Sequence, residues 1–133
     1  GLQCQKLIPV LCDSCKKVHE LKTVAGKKFT LYTASEEGCV VCKQSGIKGR
    51  QIAMEYFLPD YEELAAISQQ AWLQVFTLWR KKRYTANGLT EGFEIREKVM
   101  AKVLQGQVDA CWFAMEFGVI SPEDLELIVE KIH

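Results

Sequence analysis

Long apolar runs are missing from this sequence. No stretch approaches the roughly 20 residues that a bilayer-spanning helix needs, so no transmembrane helix is expected. A surplus of either charge is missing too, since 17 basic residues face 17 acidic ones. Nucleic-acid binders usually carry excess Lys and Arg to neutralise phosphates, so direct nucleic-acid binding is not expected. Histidine is scarce, with two residues, one of them at the chain end. No Ser-His-Asp or Cys-His catalytic set is read from it. The phosphate-cradling pattern Gly-x-x-x-x-Gly-Lys-Ser/Thr does not occur. Gly1–Lys6 lacks the charged start, apolar stretch and cleavage site of a signal peptide. The chain begins with Gly1 rather than Met, which reads as an excised domain or a processed product.

Cysteine, by contrast, is plentiful: six in 133 residues. Without a secretory signal, paired cysteines read as metal ligands before they read as disulfides. Cys12-Asp13-Ser14-Cys15 and Cys39-Val40-Val41-Cys42 are two Cys-x-x-Cys knuckles with 23 residues between them. Two intervening residues let both sulfurs of a tight turn face one point. Two such turns supply the four thiolates of a closed tetrahedral zinc site. With all four positions filled by protein, the zinc would be structural. Iron in a rubredoxin-like centre and a redox-active pair are the competing readings. Cys4 and His19 are reserve ligands, and Cys111, in the apolar run Ala110–Met115, reads as a small core residue.

The chain changes character near residue 58. Before it, Lys28–Thr33 alternates and is rich in strand formers, and two or three short strands are expected. After it, the apolar period is helical. Asp60 with Glu63 is a capping pair, and Leu64, Ile67, Ala71, Val75, Leu78 and Trp79 recur every three or four residues. This predicts one long helix, or two with a break near Ser68–Gln70. Arg80-Lys81-Lys82-Arg83 closes it and reads as a solvated charge run. Further helices are expected over about 91–105, ended by Gly106, and about 108–117, closed by Gly118. A last one follows Ser121 as N-cap and Pro122 as its first residue. The expected class is α+β, a small antiparallel zinc-bound β unit (1–58) followed by four or five helices (59–133). Trp72, Val75, Phe76, Trp79, Val99, Val103, Trp112, Phe113 and Ile128 are the expected core.

The residues around the second knuckle read Gly38-Cys39-Val40-Val41-Cys42, then Gly46-Ile47-Lys48-Gly49-Arg50 and Glu55. Upstream, Gln5-Lys6-Leu7-Ile8 leads to Leu11-Cys12. Together, over residues 2–55, these motifs resemble the tetracysteine region of the type II secretion and type IV pilus assembly ATPases. Asp13 stands where that family usually has proline, Ile47 where it has tyrosine, and Ala53 where isoleucine is common. These departures suggest a divergent branch, such as a conjugative or bundle-type pilus system.

The resemblance implies a C-terminal zinc module of a hexameric motor, with the nucleotide site upstream in the parent protein. It implies Zn2+ at Cys12, Cys15, Cys39 and Cys42 and no catalytic residue in this chain. ATP and Mg2+ would be bound only by the full-length parent. The implied partners are the rest of the ATPase chain, neighbouring subunits and inner-membrane platform or assembly proteins. The implied location is the cytoplasm, peripheral to the bacterial inner membrane. Gly46 and Gly49 would form turns, and Arg50 and Glu55 would pair with each other or with a neighbouring subunit. A zinc-ribbon protein that binds nucleic acid or serves transcription is the alternative.

Overall fold

The structure, a computed structural model, describes residues 2–132. Four strands come first: β1 (Leu2–Leu11), β2 (Lys17–Val24), β3 (Lys27–Thr33) and β4 (Ile47–Phe57). Five helices follow: α1 (Tyr61–Ser68), α2 (Trp72–Thr85), α3 (Ile95–Leu104), α4 (Ala110–Phe117) and α5 (Pro122–Ile132). The strands form two antiparallel pairs, β1 with β4 and β2 with β3. The fold is therefore α+β, as the sequence pattern predicts. The β4 strand is longer than any short strand expected there, because it pairs with β1 from Leu2↔Phe57 to Leu11↔Ile47. The paired residues lie 36 to 55 positions apart in the chain, out of reach of local pattern reading.

Several helix ends have a local cause. Asp60 accepts the Glu63 N–H, and the Glu63 carboxylate accepts the Asp60 N–H, a reciprocal box that fixes the start of α1. Of the two readings, one long helix or two with a break near Ser68–Gln70, the structure has the second. Gln70 turns left-handed at φ 57°, and the Ala71 N–H returns to the Ala66 carbonyl. Asp109 caps α4 through the N–H groups of Cys111 and Trp112, and Ser121 caps α5 through that of Asp124.

One core joins strands to helices. Ile8, Val24, Leu31 and Ala53 from the β half pack with Val99, Val103, Val108, Phe113, Ile128 and Val129. The α1–α2 hairpin contributes nothing to this cluster. It is attached largely through polar links instead. Trp79 Nε1 donates to the Tyr56 carbonyl at 2.6 Å. Arg80 pairs with the buried Glu97 and donates to the Gly92 carbonyl. Arg83 approaches Asp124 at 3.5 Å, and Lys131 of α5 donates to the carbonyls of Tyr84 and Ala86. Within the hairpin, Lys82 pairs with the buried Glu63.

These contacts correct several expectations. The run Arg80–Arg83 is not a solvated end. Three of its four cations are partly buried and ion-paired, because α2 brings Lys82 against Glu63 of α1, Arg80 against Glu97 of α3 and Arg83 against Asp124 of α5. Trp72 and Phe76 are not core: they are 62% and 51% exposed. With Cys4, Tyr56 and Trp79 they line an open apolar groove of about 300 Å³. Leu64 is likewise exposed, and the inward face of α1 carries Glu63 and Ala66. Arg50 and Glu55 do not pair with each other: Glu55 accepts the Ile95 N–H at the start of α3.

Candidate metal centre

β1 delivers Cys12 to the centre and β4 leaves from it. The strand pair ends at Leu11↔Ile47, and beyond it Cys12 donates its N–H to the Gly46 carbonyl at 3.0 Å. The first knuckle then turns, with Cys15 and Lys16 both donating to the Cys12 carbonyl. The second knuckle is tighter. Gln44 donates to the Cys39 carbonyl at 2.8 Å while Lys43 and Gln44 both sit at positive φ. Closing this loop brings the Gln44 backbone against Gly38. A Cβ at Gly38 would lie 2.3 Å from the Gln44 carbonyl carbon, so only glycine fits.

The four sulfurs converge. The Sγ–Sγ distances are 3.7 Å for Cys12–Cys39, 3.8 Å for Cys15–Cys42 and 3.7 Å for Cys39–Cys42. All four lie within 4.8 Å of one another. A disulfide would bring two sulfurs to about 2.05 Å, and all six cysteines are free thiols. Four thiolates placed tetrahedrally at about 2.3 Å from an ion stand about 3.8 Å apart. The observed spacings match that figure, so the four cysteines are positioned to bind a metal ion. Cys12 and Cys42 are buried and Cys15 and Cys39 are partly exposed.

The surroundings favour an anionic cluster at one corner. Cys42 Sγ accepts the N–H groups of Gly46 at 3.1 Å and Cys39 at 3.4 Å. Desolvation pushes the Cys42 thiol up, but these two backbone donors together with hydrogen bonds from the Cys39 and Cys15 thiols bring it down to about 6. Cys15 has no such donors. Desolvation and its hydrogen bonds with Cys39, Cys42 and Cys12 push it up to about 12. Ser45 locks the exit by donating to the Cys42 carbonyl and accepting the Ile47 N–H. From the sequence Gly46 is assigned a turn and Ser45 no role, and nothing in the cysteine spacing marks the Gly46 N–H as a donor to Cys42.

The first knuckle is moored to the helices. Leu11 donates to the Gln107 carbonyl at 2.8 Å, and Lys16 Nζ donates to the Gly106 carbonyl at 2.8 Å while lying over the Tyr32 ring. A cation at the C-terminal end of α3 also suits the helix dipole. The reserve ligands stand apart. Cys4 is exposed on β1 opposite Glu55, and His19 contacts Cys111. Cys111 is exposed rather than core, because the buried side of α4 is taken by Phe113.

An α+β chain whose strand pair opens into two cysteine knuckles moored on a helix end is a metal-knuckle module. A family model described as type II/IV secretion system protein matches residues 1–111. That is most of the chain, and the chain belongs to this family. None of the curated proteins compared with it matches.

Proposed function

We propose that this chain is the C-terminal structural zinc module of a secretion or pilus-assembly motor ATPase. The observation that carries the reading is the convergence of the four sulfurs, all within 4.8 Å of one another, in a chain of the secretion family. Cys12, Cys15, Cys39 and Cys42 would hold the ion. Zinc suits an all-thiolate set that leaves no open position for water or substrate. The ion would supply no catalysis. It would fix the two knuckles to each other and, through Lys16 and Leu11, to the end of α3.

In this reading residues 1–58 are the zinc unit and residues 59–133 the helical subdomain. Nucleotide chemistry belongs to the parent protein, acting in the cytoplasm as an oligomer beside the inner membrane. The module completes the parent's fold and passes movement to the assembly platform. No helix among the described residues is long and apolar enough to cross a membrane, which is compatible with attachment through partners.

The test has two arms. Elemental analysis of purified protein should give one zinc per chain, and Cys39→Ser should lose it. In the full-length parent, Cys39→Ser should lower transport while leaving the nucleotide-binding residues intact. Salt-sensitive DNA or RNA binding by the isolated chain, with no transport defect in the parent, would instead favour a zinc-ribbon role.

A further inference from the structure

Two chemistry-bearing side chains outside the metal centre meet across 92 positions of sequence. Cys111 Sγ lies 3.5 Å from His19 Nδ1 and 3.8 Å from Nε2. Both residues are exposed. His19 is the extra residue of a β-bulge, where the register passes from Val18↔Tyr32 to Glu20↔Leu31. Bulges re-aim side chains, and this one lets the imidazole reach α4. Cys111 stands in the first turn of α4, directly after Asp109 and Ala110.

We propose that Cys111 and His19 form a nucleophile–base pair, a thiol modification site for hydroperoxides and similar soft electrophiles. The imidazole within reach of Sγ takes the thiol proton as the sulfur attacks. The sulfur attacks the terminal oxygen of the hydroperoxide. An S–O bond forms, the O–O bond breaks, and the departing alkoxide or hydroxide takes the proton back from His19. Sulfur loses two electrons to give a sulfenic acid, and the peroxide is reduced to alcohol or water.

Acyl transfer is outside this chemistry. An oxyanion would need free N–H donors at the start of α4. Those of Cys111 and Trp112 are already committed to the Asp109 carboxylate. That carboxylate is itself occupied by the Thr33 hydroxyl and the Ala34 N–H.

The chain carries its own control. Cys4 is also an exposed free thiol, and no base contacts it among the described residues. The intact, metal-loaded protein is treated with limiting hydrogen peroxide, or separately with iodoacetamide, at pH 7. Peptide mapping then follows each cysteine with time. Cys111 should react about a hundredfold faster than Cys4 or more, the range that a positioned base provides. His19→Ala should bring Cys111 down to the Cys4 rate, and circular dichroism should confirm an unchanged fold. Equal rates at Cys111 and Cys4, or a Cys111 rate unaffected by His19→Ala, would overturn the proposal. Because the comparison is between Cys111 and Cys4, it holds whether or not the four clustered cysteines carry zinc.

Discussion

The backbone N–H of Gly46 points at the sulfur of Cys42 from 3.1 Å. It does so because Gly46 sits at φ 77°, turning its amide back into the knuckle while its carbonyl accepts from Cys12. A Cβ here would lie 3.0 Å from the Ser35 carbonyl oxygen and 3.1 Å from the Ala34 Cβ. Gly46→Ala therefore combines crowding with a left-handed backbone, which costs an L-residue about 1–2 kcal/mol. Both a lower melting temperature and weaker metal retention against a competing chelator are expected. Unchanged retention would mean that the Gly46 amide does not help hold the ion.

Metal affinity should rise with pH. At neutral pH the metal-free Cys42, held near 6, is mostly thiolate, while Cys15, pushed up to about 12, keeps its proton. Loading must displace the Cys15 proton, so the apparent affinity should gain about tenfold per pH unit for each proton released. Acidification reverses the sign and favours release. Titration with zinc against a chromophoric chelator between about pH 6 and 8 measures the slope. A flat profile would argue against thiolate ligation.

Glu97 is 1% exposed and paired with Arg80, so its charge has no recourse to water. Glu97→Ala leaves the Arg80 guanidinium partly buried, with Glu94 at 3.7 Å as its remaining ion-pair partner. Breaking one side of a buried pair costs about 3–5 kcal/mol. Urea denaturation should show a loss of that order. The double change Arg80→Met with Glu97→Leu should lose much less, since it removes both buried charges together.

Two tryptophans on one helix should behave oppositely. Trp79 is buried and donates to the Tyr56 carbonyl, whereas Trp72 is exposed at the start of α2. Trp79→Ala should destabilise by about 3–5 kcal/mol. Trp72→Ala should stay within about 0.5 kcal/mol. Thermal melts of the two variants separate these outcomes, and similar losses for both would place Trp72 in the fold's core after all.

The cysteine centre was legible because metal ligation is written in short, rigid spacings. Cys-x-x-Cys predicts a turn, and two such turns predict a cluster, with no long-range geometry required. Helix ends were legible for a similar reason, since Asp60, Gly106 and Ser121 act on neighbours three or four positions away. What escaped was anything decided by distant pairing. The full length of β4 depends on β1. The fates of Arg80, Lys82 and Arg83 depend on Glu97, Glu63 and Asp124 arriving from other helices. Trp72 fits the helical period but falls off the buried face, because α1 and α2 pack mainly on each other. The Cys111–His19 contact was invisible because neither residue has a partner within its own segment.

The β1–β4 ribbon has a mechanical meaning. Its paired length is roughly 30 Å at the usual rise per residue. One end is clasped by the four cysteines, and α1 begins shortly beyond the other, at Tyr61. The hydrogen bonds between the strands resist sliding, and an ion held by the four cysteines would keep the near ends from fraying. In the proposed motor setting, a pull on the knuckles would then arrive at Phe57 as displacement rather than as stretch. The loaded cluster would be the grip of a stiff lever whose far end carries the α1–α2 hairpin.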